Sequence, residues 1–234
     1  MTKVFQFVII AWRIWRAHKT KTFCRLMWYY LKAHLTGEWE PWLWACVPST
    51  GRVAIDGGAN TGQWTRKLAT RFQEVIAIEP HPKTVRHLRA TAPFNARVLE
   101  GAIWNCSEWK TLILYPDLRV CRISEHDFLY SMGKGTNGVE VPCFPIDALR
   151  LTNVDFIKLD VEGAEAEALE GAVETINASR PVLLIELHST KARERIKRLL
   201  TLFEYTWEYR HFPIYSPQDD LYNDRLWMVA KRKE

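Results

Sequence analysis

The sequence lacks the features that would place it in several common classes of protein. Its five cysteines share no C-x-x-C spacing, which argues against a structural zinc site and predicts reduced thiols; they lie at positions 24, 46, 106, 121 and 143. An apolar run over residues 4–12 is too short to span a bilayer, and no small-residue cleavage site follows it. No internal repeat or low-complexity tract is present. We therefore predict a cytoplasmic globular protein without a signal peptide or a metal site.

The N-terminal fifty residues differ in composition from the rest of the chain. They contain no acidic residue before Glu38 and six tryptophans before residue 45, and residues 23–35 carry apolar side chains at helical spacing. One interpretation is a basic amphipathic segment that lies on a membrane surface or holds an anionic substrate. The other is a set of helices that cap the catalytic domain or form a homodimer contact. We place the boundary between this segment, residues 1–50, and the main domain, residues 51–234, near residues 48–51.

The main domain begins with a glycine-rich turn between a strand and a helix. Residues 53–55 form a short apolar strand that ends at Asp56, and glycines follow at positions 57, 58 and 62. Residues 63–72 have helical spacing of their apolar side chains. A second strand, residues 75–78, ends at Glu79, and an acid at this position of an α/β nucleotide fold binds a ribose diol. The turn and Glu79 together predict an adenosine-like ligand.

The middle position of the turn indicates which ligand this is. A dinucleotide fingerprint needs glycine there so that the backbone can approach a pyrophosphate, and this chain has Ala59. Asp56, just before the turn, is a poor neighbour for a phosphate and a good one for a cationic amine. We therefore predict S-adenosylmethionine (SAM), which carries an ammonium, a sulfonium and no phosphate. A nicotinamide dinucleotide and a purely structural turn are the alternatives.

Strands and helices alternate along most of the remaining chain, which predicts a mostly parallel sheet of seven strands with helices on both faces. Residues 107–150 interrupt this alternation and predict a hairpin (strands at 111–115 and 120–123) with a substrate-side flap around residues 133–138; an ordinary connector is the alternative. The flap is not a P-loop, because position 128 is Phe where glycine is required. The other predicted elements are strands at 96–103, 139–144, 154–159, 181–188, 205–209 and 226–230, and helices at 82–92, 164–176 and 191–203, the last two strands being antiparallel.

Acidic residues stand at the carboxyl ends of several predicted strands, where ligands of such sheets collect. They are Asp56, Glu79, Asp160 with Glu162, and Glu186 with His188. A single acid of this kind could simply cap a helix, and His188 could be an ordinary polar residue at a strand end. Methyl transfer to a hydroxyl group benefits from a positioned proton acceptor. The candidates for this acceptor are Asp160, Glu162 and His188.

These motifs resemble the FkbM-type family of SAM-dependent methyltransferases over roughly residues 51–190. The resemblance rests on D-G-G-A-N-T-G at 56–62, I-E-P at 78–80, D-F-I-K-L-D-V-E-G-A-E at 155–165 and E-L-H at 186–188. It implies a Rossmann-like class I methyltransferase fold, SAM as donor, S-adenosylhomocysteine as product, and O-methylation of a saccharide, glycolipid or natural-product hydroxyl. It also implies active-site roles for Asp160, Glu162 and Glu186. The implied cofactor contacts lie in the turn and at the second strand tip: Asp56, Gly57, Gly58, Ala59, Asn60, Gly62 and Glu79.

Two other functions stay open from the sequence. One is an RNA ribose 2′-O-methyltransferase, for which the basic, aromatic N-terminus would suit single-stranded nucleic acid. The other is a SAM-binding protein without catalysis. Amino-group methylation of bases is disfavoured, since no Asn/Asp-Pro-Pro-aromatic motif follows the fourth strand. The Pro142-Cys143 pair precedes that strand, so it does not match cytosine-C5 enzymes either.

Overall fold

The computed structural model describes residues 41–114, 121–123, 137–188, 190–215 and 222–233. The chain divides into two compact units, one of Met1–Val47 with His211–Arg225 and one of Pro48–Arg210 with Leu226–Glu234. Within the first unit, helix α1 spans Pro41–Trp44. The helices predicted before residue 36 and most of the predicted flap lie outside the described residues. Within the described ranges, no helix has the length and apolar character needed to cross a bilayer.

A seven-stranded sheet forms the centre of the second unit. Its strand order is β10-β11-β9-β8-β1-β2-β3, which confirms the predicted seven-stranded Rossmann-like sheet. Strands β3, β2, β1, β8 and β9 run parallel, and β11 pairs antiparallel with β9, as predicted for the last strand. The strands are β1 (Gly51–Gly57), β2 (Phe72–Glu79), β3 (Ala96–Glu100), β8 (Val154–Leu159), β9 (Val182–Leu187), β10 (Tyr205–Tyr215) and β11 (Tyr222–Arg232).

A second sheet of four strands, in the order β4-β7-β5-β6, contains three strands from the predicted insertion and one, β4, that precedes it. β5 and β6, which overlap the two strands of the predicted hairpin, pair antiparallel, with Leu112 opposite Ile123. β5 also pairs antiparallel with β7, and β4 pairs parallel with β7. The four strands are β4 (Ala102–Ile103), β5 (Glu108–Leu114), β6 (Cys121–Ile123) and β7 (Asn137–Phe144).

Alternation along the strands gives the main sheet two different faces. One face carries the largest apolar cluster, with Ile55, Ile157 and Ile185 fully buried against helices on that side. The opposite face carries Asp56 and its register partner Lys158. The helices are α2 (Gln63–Leu68), α3 (Pro82–Thr91), α4 (Glu165–Glu170), α5 (Val173–Ser179) and α6 (Thr190–Leu202), with a 3-10 helix at Ile146–Leu149.

Three predicted elements end or divide at an unpredicted residue, in each case because tertiary contacts override the local pattern. The helix predicted over residues 63–72 ends at Leu68, and Phe72 begins β2, where its buried ring packs 6.0 Å from that of Phe156. The strand predicted over residues 96–103 divides at Gly101, whose positive φ of 147° sends the chain into the second sheet. The helix predicted over residues 164–176 divides at Gly171, which lies against the Trp104 carbonyl.

Candidate active site

The glycine-rich turn lies against the tip of β8, and its backbone conformation requires glycine at one central position. Gly58 has φ +70°, and a Cβ atom there would collide with the Asp160 carbonyl oxygen. Its N–H donates to the Ile78 carbonyl, which joins the turn to β2. Gly62, with φ +84°, precedes α2 as its N-cap residue. The sequence therefore forms a tight turn that exposes backbone at the carboxyl end of the sheet.

Lys158 connects this turn to the acids of the neighbouring strands. Its side chain is buried, and its Nζ donates to the carbonyls of Gly57 (3.2 Å) and Gly58 (3.0 Å). The same ammonium lies 3.3 Å from Asp56 and 3.5 Å from Asp160. Burial lowers the pKa of Lys158, but the charges of these acids, with that of Glu186, raise it to about 12. Lys158 is thus a cation at neutral pH that links the predicted cofactor turn with the predicted catalytic acid.

Glu79 lies where the sequence predicts a ribose-binding acid, at the tip of β2. Its Oε2 accepts a hydrogen bond from the Asn60 N–H (2.8 Å) and its Oε1 accepts one from the His81 N–H (2.9 Å). Burial raises the pKa of Glu79 above its usual range, against the opposing effect of the two backbone donors and of Lys158. A carboxylate has about four acceptor positions, so Glu79 retains capacity for a diol.

A cleft opens beside Glu79 and reaches the tip of β8. Its empty volume, including the part open to solvent, is about 590 Å³. Gly58, Asn60 and Glu79 line one side, and Asp160 and Glu162 contribute carboxylates. The remaining lining is mostly apolar and includes strands of both sheets: Ile78, Pro80, Gly101, Ala102, Ile103, Leu112, Ile123, Val161 and Ala164.

His188 follows β9 and faces the same acids. Its Nε2 lies 3.7 Å from Asp160 Oδ1 and 3.5 Å from Glu162 Oε2, and its Nδ1 lies 2.7 Å from Glu165 Oε1. Burial lowers the pKa of His188, but the hydrogen bond and charge of Glu165, with the charges of Glu162 and Asp160, raise it to about 9. An imidazole with a raised pKa is mostly protonated at neutral pH, which favours Asp160 or Glu162 over His188 as the predicted proton acceptor.

The structure separates the predicted site residues into two groups. Asp160, Glu162, Glu79, Gly58 and Asn60 line the cleft, while the other predicted residues are not among its lining residues. The Asp56 carboxylate is fully buried and accepts a hydrogen bond from the Thr65 hydroxyl (2.6 Å), so it supports the turn from behind.

Four further predicted residues lie behind the lining. Glu186 is 3% exposed and pairs in register with Trp227 of β11. Ala59 packs against α3, and Gly57 closely approaches β8. Gly62 begins α2. The proposed ligand roles of all these residues stay predictions, and their positions indicate support of the cleft from behind.

Lys158 and Glu165 are central to the site, and we did not predict either as a site residue. Both lie in the K-x-D-x-E-G-A-E run at positions 158–165. The signal that could have identified them is a charged residue at a position where strand or helix spacing requires an apolar one. Lys158 is 2% exposed within an apolar strand, and Glu165 is fully buried at the start of α4.

One group of potential metal ligands occurs among the described residues. Ligand atoms of Asp160, Glu186 and His188 lie within 4.8 Å of one another. The Lys158 ammonium lies 3.5 Å from Asp160, so a buried side-chain cation already faces this cluster, and we assign no metal to it.

Comparison with known proteins gives one family and a set of similar folds. Residues 56–212, more than half of the chain, match the model of the methyltransferase FkbM domain. No curated protein matches. Among solved structures, the chain is similar to the methyltransferase FkbM from Methylobacillus flagellatus KT, with 20% identity and a TM-score of 0.54. The match covers 77% of this chain and 44% of that protein, so the chain spans less than half the length of that relative.

Two further solved structures support the fold and nothing finer. The precorrin-6y C5,15-methyltransferase from Geobacter metallireducens GS-15 has 10% identity and a TM-score of 0.51, over 84% of this chain and 88% of that one. The precorrin 8w decarboxylase from Methanobacterium thermoautotrophicum has 14% identity and a TM-score of 0.50, over 81% and 87%. Both agree with the class I methyltransferase sheet described above. The chain belongs to the methyltransferase FkbM domain family.

Proposed function

We propose that the chain is a SAM-dependent methyltransferase that transfers a methyl group to a hydroxyl of a saccharide, glycolipid or natural-product acceptor. One observation carries this proposal. A single cleft has the glycine turn and Glu79 on one side and the carboxylates of Asp160 and Glu162 at its β8 side. The first group suits a nucleoside without a phosphate, and the second suits a hydroxyl that must lose a proton. Membership of the FkbM domain family supports the same assignment.

The residues of the cleft fit SAM in charge. Gly58 lets the turn pack directly against the tip of β8, because a Cβ atom at this position would collide with the Asp160 carbonyl oxygen. Glu79 supplies acceptor oxygens for a ribose diol, and Asn60 and Pro80 lie beside it. When bound, SAM would supply a methyl group activated by a positively charged sulfur. Acids around the cleft favour such a cation.

The acids at the tip of β8 would accept the proton of the acceptor hydroxyl. As the acceptor oxygen takes the methyl group and the sulfur–carbon bond of SAM breaks, the hydroxyl proton would pass to a carboxylate of Asp160 or Glu162. Methyl transfer of this kind is an in-line displacement, so positioning of the acceptor supplies much of the acceleration. A positioned base typically contributes about 10²–10⁴-fold more. His188, being protonated, would keep these carboxylates ionised.

The first test is calorimetric titration with SAM, S-adenosylhomocysteine and NAD. We expect micromolar binding of the first two, loss of binding in Glu79→Ala, and no binding of NAD. Glu100→Ala is the matched control, because Glu100 is the register partner of Glu79 on β3 and lies outside the cleft. Failure to bind SAM or its product would contradict the proposed cofactor.

The second test measures methyl transfer from labelled SAM to a panel of saccharide, glycolipid and natural-product hydroxyls. Asp160→Asn should lower turnover by at least about tenfold while SAM binding persists. Asp155→Asn, at the opposite end of β8, is the control. Binding of SAM without turnover on any acceptor would favour a non-catalytic binding protein. Turnover on RNA alone, with a steep salt dependence, would favour the nucleic-acid alternative.

A further inference from the structure

Glu165 has its carboxylate in a buried position, where a charged group is unfavourable. It is the first residue of α4 and is fully buried. Its Oε1 accepts a hydrogen bond from the Gly163 N–H (2.9 Å) and lies 2.7 Å from His188 Nδ1. Its Oε2 has no hydrogen-bond partner among the described residues and is also buried. Burying an ionised carboxylate is costly, so the partners of Oε1 must compensate for much of that cost.

The first partner of Glu165 is a strained turn. Glu162 has φ +53° and Gly163 has φ +106°, so two consecutive residues have positive φ. For a residue such as Glu162, this backbone conformation is strained and persists only where the surroundings hold it. The hydrogen bond from Gly163 to Glu165 is one such restraint. Because this turn carries Glu162 into the cleft, Glu165 helps to fix the position of a predicted active-site acid.

The second partner is the imidazole of His188. A carboxylate at Nδ1 fixes the ring orientation and holds a proton on that nitrogen. Nε2 is then directed towards Glu162 (3.5 Å) and Asp160 (3.7 Å), both of which line the cleft. One oxygen of Glu165 therefore joins the β8–α4 turn to the end of β9. These are the two segments that carry the predicted acids and histidine.

We propose that Glu165 is a positioning residue that holds His188 as an imidazolium facing the acceptor side of the cleft and fixes the turn of Glu162. This inference deepens the proposed function and rests on it for its catalytic meaning. His188 is then a fixed cation that keeps Asp160 and Glu162 ionised and ready to accept the proton. The substitution Glu165→Gln would replace this carboxylate by an amide. It would remove the influence of Glu165 on the charge and orientation of His188 without removing any group that lines the cleft.

Several charged groups act on His188, and they differ in what they contribute. Glu165 from α4, and Glu162 and Asp160 from the turn after β8, all raise the pKa of the imidazole to about 9 against the effect of burial. Glu186, on the same strand as His188, also has an oxygen near Asp160 and His188. The Lys158 cation lies on the far side of Asp160. Of these, Glu165 makes the shortest contact, so its charge should matter most.

The test is a pH titration of the His188 ring by ¹H–¹⁵N NMR on the full chain, with EDTA and without acceptor. His188→Asn identifies the resonance. The unsubstituted protein should show a doubly protonated ring at pH 7.5 and a midpoint near 9. In Glu165→Gln the midpoint should fall by at least about one unit, a tenfold change in proton affinity. Glu167→Gln is the matched control on α4, where the carboxylate pairs with Arg195 instead.

Two results would overturn the inference. One is a neutral His188 ring at pH 7.5 in the unsubstituted protein, a measurement that needs no variant to fold. The other is an unchanged midpoint in a folded Glu165→Gln protein. Neither measurement depends on methyl transfer, so failure to find a hydroxyl acceptor would refute the proposed function and leave this inference standing.

A turnover assay, once an acceptor is known, gives a third readout. Because the cationic ring is the functional form, kcat should fall as the pH rises through about 9 in the unsubstituted protein. In Glu165→Gln this alkaline limb should move to lower pH by the same interval as the NMR midpoint, with little change in KM for SAM. A purely structural role for Glu165 would lower kcat at every pH without moving the limb. An activity that rises through pH 9 would make His188 the base and contradict the proposal.

Discussion

Replacement of Lys158 by methionine should destabilise the protein strongly and so reveal how the site is held together. Methionine is apolar and of similar length, so it fills the space and removes only the charge and the donors. The carbonyls of Gly57 and Gly58 then lose a donor, and the fully buried Asp56 carboxylate loses its cation. The turn and the tip of β8 would then no longer be linked through the Lys158 ammonium.

The expected loss in the free energy of unfolding follows from two considerations. The pKa of Lys158 is raised from 10.5 to about 12, which corresponds to roughly 2 kcal/mol in favour of the charged, folded side chain. Because the folded-state pKa is the higher one, this contribution is complete below pH 10.5 and is lost as the pH rises through about 12. The substitution costs more, since it leaves the buried Asp56 carboxylate without its cation; removal of one partner of a buried pair costs about 3–5 kcal/mol.

The measurement is urea unfolding at pH 7, supported by thermal unfolding, for which about 2–4 °C is expected per kcal/mol in a chain of this size. Lys110→Met is the control, because Lys110 forms a partly exposed pair with Glu108 whose loss should change the free energy of unfolding far less than the loss of Lys158. The double variant Lys158→Met/Asp56→Asn should be more stable, by at least about 1 kcal/mol, than the sum of the two single losses of stability would predict. A loss below about 1 kcal/mol for Lys158→Met, or strict additivity, would refute the coupling described here.

Three other predictions follow from single positions. Gly58→Ala should lower the stability in thermal unfolding more than Gly163→Ala. Both substitutions place an alanine at a positive φ, which costs about 1–3 kcal/mol, but only at position 58 would the new Cβ atom also collide with a backbone carbonyl. Equal losses of stability would contradict this. Binding of S-adenosylhomocysteine, measured by calorimetry, should weaken as the pH falls through the raised pKa of Glu79, so its acid midpoint should lie above 4.5, and Glu79→Gln should lack that midpoint. Tyr205→Phe should cost about 1 kcal/mol in urea unfolding, since it removes the 2.7 Å hydrogen bond to the buried Pro181 carbonyl.

The alternation of strands and helices sufficed to predict most of the fold. Parallel strands β1, β2, β8 and β9 have short apolar runs, and the antiparallel pairing of β11 was also predicted. The errors have a common cause. Phe72 continues the helical spacing of the residues before it, yet its ring is more stable packed in the sheet core. Local periodicity carries no information about such long-range packing.

The sequence predicted the site less completely than the fold, because it does not determine the directions in which the side chains point. A strand-tip position predicts proximity to the ligand edge, but it does not predict where the side chain points. Asp160 and Glu162 line the cleft, whereas Asp56 and Glu186 are buried. The roles of Lys158 and His188 could not be predicted either, because a charge state depends on neighbours that the fold brings together from distant segments.

The run of residues 158–165 combines two kinds of function that experiments should keep apart. Strand alternation places Lys158 and Asp160 on one face of β8, and the left-handed turn at Glu162 and Gly163 then reverses the chain so that Glu165 enters the core behind His188. Asp160 and Glu162 therefore line the cleft, and Lys158 and Glu165 hold them from behind. Substitution of a lining acid should change turnover with little change in the free energy of unfolding. Substitution of a buried partner should change both, so its effect on catalysis has meaning only when the stability of the same variant has been measured.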